Sequence, residues 1–226
     1  MRIKAIIFDL DGTLLNTLSD IAGAANHALE KGGFPNHPEE AYRYFVGNGS
    51  NMLMTRALPA AYRNQDTILR SVDRFLKAYG KNWHHHTRPY DGIMELLDEL
   101  TRRNIAMAVL TNKRHFFAQQ CMAYFFKRWP FNPVLGQQGD TPPKPDPAMA
   151  LQIARTLALA PKEILFLGDS ATDIETATAA GMIPMGAGWG FRTVAELEQS
   201  GARKVLSHPL DALKALFSND PGNTPA

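Results

Sequence analysis

Short apolar runs alternate along this chain with helical patterns, and few folds accept that order. Residues 4–9, 105–110, 133–136, 164–168 and 183–186 read as buried strands, and 204–206 as a weaker one. Helical periodicity fills most of the intervals, at 92–103, 115–126, 147–159, 172–180 and 194–199. Strands separated by helices of this length predict an α/β fold, a Rossmann-like parallel sheet with helices on both faces. Right-handed crossovers then bring the strand C-termini to one edge, where such sheets bind ligands. The 226 residues suffice for one large domain, or one domain carrying a sizeable insertion.

Residues 15–87 interrupt the alternation. They are helical in pattern at 21–31, 39–44, 52–58 and 67–81, with no convincing strand. The expected organisation is a core built from 1–14 and 88–217, with 15–87 inserted as an α-helical cap domain over the ligand edge. The return linker from His86 to Gly92 contains Pro89 and reads as a hinge crossing. The tail, 218–226, is rich in Pro, Gly, Asn and Ser and is expected to be disordered.

The first strand ends in a pair of acids: Ala5-Ile6-Ile7-Phe8 runs into Asp9-Leu10-Asp11-Gly12-Thr13. Neighbouring carboxylates raise each other's pKa unless something holds them. A divalent cation would do so, as would a division of labour in which one acid attacks and the other carries a proton. Taken alone, the segment is also what a strand followed by an Asp-Gly turn looks like. Further polar clusters follow later strands: Thr111-Asn112-Lys113, then Lys144-Pro145-Asp146-Pro147, then Gly168-Asp169-Ser170-Ala171-Thr172-Asp173. Singly, each reads as a turn or a helix cap, Asp146 being a natural N-cap with Pro147 in the first helical position. Together they put acids, a hydroxyl and a lysine on one sheet edge. Phosphoryl transfer needs that set: a carboxylate to attack phosphorus, Mg²⁺ to screen the anions and fixed donors for the equatorial oxygens.

Asp9-x-Asp11-Gly12-Thr13, Thr111, Lys144 and Gly168-Asp169-Ser170-x-x-Asp173 resemble the four motifs of the haloacid dehalogenase superfamily, in order and across nearly the whole chain. The insertion resembles the helical cap which that superfamily places between its first and second motifs. The resemblance implies that Asp9 is the nucleophile, forming an aspartyl-phosphate, and also a Mg²⁺ ligand. It implies that Asp11 protonates the leaving alkoxide and then takes a proton from the hydrolytic water, with its backbone carbonyl on the metal. Thr111 and Lys144 would hold the phosphoryl oxygens, Asp169 would ligate Mg²⁺, and Asp173 would stand beside it as a ligand or just behind one. The chemistry of the residues agrees, since hard oxygen ligands suit Mg²⁺ and lysine is a point charge where the transition state spreads negative charge.

Tyr44-Phe45-Val46-Gly47-Asn48-Gly49-Ser50, residues 53–58, Thr111-Asn112-Lys113 and Gly188-Trp189-Gly190-Phe191-Arg192 are similar to the phosphoglycolate phosphatases of that superfamily. The likeness implies a small phosphorylated metabolite, 2-phosphoglycolate, as substrate. Glycines on either side of Asn48 let the backbone approach a small ligand and aim amides at its carboxylate. Gly47, Asn48 and Gly49 are therefore candidate substrate contacts, as are Asn112 and Arg56, although an exposed helical arginine also accounts for Arg56. Asp91 stands where a proline is expected before Gly92, which bears on the hinge and not on catalysis.

Rival readings remain open. A sugar-phosphate phosphatase shares every core motif. A phosphomutase also shares them but carries a histidine early in the first cap helix, where this chain has Ile21, and His27 lies too far along. Phosphonate cleavage needs a cap lysine, and Lys31 reads as part of a helix end. A non-catalytic binding protein on the same fold is disfavoured because all the motif residues are present.

A net charge of +2 offers no argument for nucleic acid or a membrane surface as partner. No run is long enough to span a bilayer, and Asp9 and Asp11 cut the first apolar segment too short for a signal peptide. A cytoplasmic monomer or homodimer is expected. Cys121, the single cysteine, excludes an intramolecular disulfide, and its apolar setting predicts a packed thiol. His84-His85-His86 would point in different directions in any regular element, which favours a solvated linker over a metal site.

Overall fold

β1 (Ala5–Phe8) is buried along its whole length and lies inside the sheet. The computed structural model describes residues 3–217, so the tail expected to be disordered lies outside the described residues. After β1 come β2 (Leu15–Asn16), α1 (Leu18–Glu30), α2 (Tyr42–Phe45), α3 (Gly49–Ala57), α4 (Gln65–Asn82) and β3 (Arg88–Pro89). The chain continues through α5 (Ile93–Arg102), β4 (Ala106–Arg114), α6 (His115–Phe125), β5 (Phe131–Gln137), α7 (Ala148–Thr156) and β6 (Ile164–Gly168). It closes with α8 (Ala171–Ala179), β7 (Ile183–Ala187), α9 (Val194–Gln199), β8 (Lys204–Leu206) and α10 (Asp211–Phe217).

The main sheet has six strands in the order β5-β4-β1-β6-β7-β8, and every neighbouring pair is parallel. The expected α/β fold is therefore present, with each of the six expected strands in place. Strand order grows outward from β1 first on one side and then on the other. The C-terminal end of β1 is thus the switch point where a cleft must open. Side-chain alternation along β1 divides the core. Ile6 and Phe8 join the layer of α5, α6 and α10, including Leu96, Leu100, Ala118 and Leu216. Ala5 and Ile7 join the layer of α7 and α8, including Met149, Ile153 and Ala177. Burying Ile6, Ile7 and Phe8 contributes on the order of 1.5–3 kcal/mol each, which anchors the strand that carries the first acid.

Helices α1 to α4 form the cap. α1 packs along α4, and Ile21, Ala25 and Leu29 share an apolar cluster with Val72, Phe75 and Tyr79. Where the chain leaves and re-enters the core, β2 and β3 pair antiparallel, Leu15 opposite Pro89 and Asn16 opposite Arg88. No strand was expected there, and two residues are too few for periodicity to reveal one. Asp20, buried in the first turn of α1, fixes the return linker: its carboxylate accepts from the backbone N–H of His86 and Thr87 and from the Thr87 hydroxyl (2.7 Å).

Three other features depart from expectation. Thr111-Asn112-Lys113 is neither a loop nor a cap, because β4 continues through Arg114, which a register shift leaves opposite Gln137 on β5. α10 is an additional short helix. The histidine run follows α4, with His85 and His86 exposed as a solvated linker would have them, whereas His84 is half-buried against Trp83 and Tyr124. Cys121 is a buried free thiol whose pKa burial pushes up to about 12. Among the described residues, no helix is long and apolar enough to cross a membrane.

Candidate active site

Three adjacent strands deliver the site. Asp9 follows β1, Asp169 follows β6, and Thr111 lies on β4. Asp9 is tied to the neighbouring strand by its N–H, which donates to Leu167 O at 3.0 Å. Asp173 sits in the first turn of α8 and reaches back to accept from Ser170 N (3.1 Å) and Ser170 Oγ (2.7 Å), in the manner of a capping box. Lys144 enters from the loop before α7, where the Asp146 carboxylate accepts the Ala148 N–H.

Asp9, Asp169 and Asp173 are all buried, and each offers a carboxylate oxygen within 4.8 Å of the others. One cation stands among them: Lys144 Nζ lies 3.0 Å from Asp9 Oδ1 and 2.5 Å from Asp173 Oδ1. Three buried acids against one ammonium leave an excess of negative charge. Burial, joined by Asp173 and Asp9, pushes Asp169 up to about 8. Burial also raises Asp9, to about 6, with Lys144 opposing it. Asp9 Oδ1 is buried and lacks a well-formed hydrogen bond, the Lys144 ammonium being its ion-pair partner at 3.0 Å. Three converging buried carboxylates, hard donors and surplus negative charge fit a small divalent cation such as Mg²⁺.

Asp169 is held by close packing as well as by hydrogen bonds. It accepts from Thr13 Oγ1 (3.2 Å) and from the Phe191 N–H (2.9 Å). A Cβ added at Gly12 would fall 2.2 Å from Asp169 Oδ2, and one at Gly190 2.2 Å from Asp169 Cβ. Both glycines are therefore required by the acid wedged between them. Asparagine at 169 would keep both partners, accepting from Phe191 and donating to Thr13, while removing the cost of holding a third ionisable acid in the buried trio. Asp169→Asn should unfold about 2–4 °C higher than the parent without divalent cation, equivalent to ~1 kcal/mol for a chain this size. The parent is expected to melt higher with Mg²⁺, and the variant should lose that gain. Thermal unfolding with and without Mg²⁺ checks both, and a parent whose melting ignores Mg²⁺ would contradict a metal in this cradle.

Asp11 stands apart from the trio. Its two carboxylate oxygens receive Lys113 Nζ at 2.8 and 3.0 Å, and Lys113 also donates to Tyr79 Oη on α4 at 2.7 Å. Neither Lys113 nor Tyr79 was marked by the sequence as a site residue. The available signal was strand period: had β4 been read through Arg114, Thr111 and Lys113 would have fallen on one face.

A cavity lies between sheet edge and cap, with Asp9, Asp11, Thr111 and Lys113 on the core side and Ile21, Gly49, Leu53 and Tyr79 on the cap side. Gly47 and Gly49 also line it, at φ +117° and +80°, backbone that residues with a side chain rarely adopt. Asn112 lines it too, but its amide donates to Gly47 O (3.0 Å) and Lys144 O (3.1 Å) while its oxygen accepts from Lys144 N (2.8 Å). That side chain brackets cap loop to lysine loop and has no hydrogen left for a ligand. Asn48 and Arg56 do not line this cavity. Arg56 braces the back of the loop through Tyr44 O, Phe45 O and Asn48 Oδ1, and Asn48 donates to Thr172 Oγ1. The segment from Gly188 to Arg192 is a clamp: Arg192 donates to the carbonyls of Arg43 and Val46, and Trp189 Nε1 to Thr13 O.

A central strand ending in a buried acid, two more acids and a lysine converging on it, and a helical roof define a class of capped α/β enzymes that work from carboxylates at the sheet edge. The family model described as haloacid dehalogenase-like hydrolase matches residues 6–187. The chain is 35% identical over 196 residues to a phosphoglycolate phosphatase of Haemophilus influenzae (strain 86-028NP), covering 84% of this chain and 88% of that one. It is 33% identical over 225 residues to a phosphoglycolate phosphatase of Pseudomonas putida, covering 95% and 78%. The crystal structure of a predicted phosphoglycolate phosphatase from Haemophilus somnus superposes with a TM-score of 0.87 at 31% identity, over 95% of this chain and 98% of that one. The chain belongs to the haloacid dehalogenase-like hydrolases.

Proposed function

We propose that this phosphoric monoester hydrolase converts 2-phosphoglycolate to glycolate and phosphate through an aspartyl-phosphate on Asp9. The observation that carries the reading is Asp9 itself, a buried carboxylate on the floor of a capped cavity, paired with the Lys144 ammonium and without a well-formed hydrogen bond to Oδ1. A carboxylate oxygen of Asp9 bonds to phosphorus as the bond to the alkoxide breaks, and Asp11 gives that alkoxide its proton. Water then passes a proton to Asp11 and attacks phosphorus, which frees Asp9. Lys144 and the Thr111 hydroxyl hold the phosphoryl oxygens, and Asp173 keeps Lys144 in place from behind. Asp9, Asp169 and the Asp11 carbonyl hold Mg²⁺, with Asp173 adjacent. When bound, the ion would offset the repulsion between Asp9 and an arriving phosphate. Gly47 and Gly49 bring the N-terminus of α3 to the cavity, where first-turn amides lack helical partners. Ile21 on the cavity wall supplies no proton-transfer group, which weighs against a mutase.

The first test is kcat/KM over a panel of small phosphomonoesters, with 2-phosphoglycolate expected to lead. The second separates proton transfer from metal binding. Asp11→Asn retains the backbone carbonyl and loses the proton, so hydrolysis of 2-phosphoglycolate should fall on the order of 10²–10³-fold. Para-nitrophenyl phosphate, whose leaving group needs no proton, should suffer much less in its first step. Equal losses on both substrates would remove the acid–base role from Asp11.

A further inference from the structure

We propose that Lys113 and Tyr79 together bind a second anionic group on the substrate, a carboxylate one carbon from the ester oxygen. The inference rests on the phosphatase reading and adds the residues that select among phosphomonoesters. Lys113 reaches the cavity from the core and Tyr79 from the cap, so one ligand group touching both spans the two layers.

Charge makes the first part of the case. A substrate with two anionic ends must place the second one in a cavity whose core side already carries Asp9 and Asp11, while Ile21, Leu53 and Phe75 offer only apolar surface. Among the described lining residues the cations are Lys113 and Arg114, and Arg114 is exposed where Lys113 has only 6% of its side chain in solvent. Lys144 is taken up at the reacting centre itself, between Asp9 and Asp173. Lys113 is therefore the sheltered positive charge that the far end of a substrate can reach.

Distance makes the second part. Lys113 Nζ sits 2.8 Å from the Asp11 carboxylate that would protonate the leaving oxygen. Two successive hydrogen bonds place it on the order of 5–6 Å from that oxygen. A carboxylate on the next carbon fills that gap with an oxygen in contact with the ammonium. Tyr79 completes the site: its hydroxyl accepts from Lys113, and among the described residues no acceptor takes its own proton. That proton is free to donate to the same carboxylate. In the absence of substrate Asp11 and Tyr79 hold the lysine head at the cavity wall, so little ordering remains to be done when the anion arrives.

The test compares 2-phosphoglycolate with ethyl phosphate, which has the same chain length and a methyl in place of the carboxylate. The parent enzyme should prefer 2-phosphoglycolate; equal use of both would overturn the substrate reading before any variant is made. Lys113→Met should then cut the ratio of the two kcat/KM values by about thirtyfold, chiefly through KM for 2-phosphoglycolate, as expected for a lost charge-assisted contact. Tyr79→Phe should cut the same ratio by about fivefold, in line with a single neutral donor. Lys113→Gln, which keeps hydrogens for Asp11 and Tyr79 without the charge, repeats the comparison should the methionine variant fold poorly. Parallel losses on both substrates, or a ratio left unchanged, would mean that Lys113 only positions Asp11 and would overturn the proposal.

Discussion

Asp9→Asn should lower turnover on the order of 10⁴-fold or more while the protein stays folded, the scale on which loss of a nucleophile registers. The amide is nearly isosteric with the carboxylate and keeps the backbone bond from Asp9 N–H to Leu167 O. It also removes one negative charge from a buried trio that has Lys144 as its one cation in contact among the described residues, so melting without metal should not fall. Activity and stability thus separate at this position. A variant that keeps even a hundredth of the parent rate would take the nucleophilic role away from Asp9. A variant that loses activity because it has unfolded would instead mean that Asp9 is needed structurally.

Lys144→Met should damage both properties together. Lys144 is 2% exposed and is the cation that keeps Asp9 and Asp173 near each other. Removing one partner of a buried charge pair leaves the other uncompensated, at a cost of about 3–5 kcal/mol. The phosphoryl oxygens lose their point charge as well, which should reduce kcat on the order of 10²–10³-fold. Mg²⁺ bound by the same trio would supply positive charge there, so saturating Mg²⁺ should recover part of the melting temperature and little of the activity. Denaturant unfolding with and without Mg²⁺, beside steady-state rates, measures each effect. Unchanged stability would contradict the charge balance described for the cradle.

The strands and most helices are legible in sequence because each is set by local periodicity, and β1 shows the limit of that signal. Its apolar run and terminal acids fix where Asp9 must stand, since a charged pair cannot continue a strand buried on both faces. The positions of Asp169 and Asp173 follow in the same way from the end of β6. What periodicity does not carry is contact between distant segments. Lys113 meets Asp11 across 102 positions and Tyr79 across 34, and the Thr13 hydroxyl meets Asp169 across 156. Strand period could have put Lys113 on the face of Thr111, but nothing local says that it turns to meet Asp11 and Tyr79. The same gap explains Arg56 and Asn112, whose residue types suit ligand binding but whose hydrogen bonds go to the cap loop and to the Lys144 loop. β2 and β3 escaped notice for a different reason, being two residues long and defined only by pairing with each other.

The central claim is that phosphate passes through Asp9 on its way from 2-phosphoglycolate to water. Rapid acid quench of the enzyme with 2-phosphoglycolate carrying ³²P, in the presence of Mg²⁺, tests it most directly. The expected result is protein-bound label that is released by hydroxylamine, maps to the peptide containing Asp9 and is missing from Asp9→Asn. Glycolate release without label on the protein, or label on a different residue, would contradict the account.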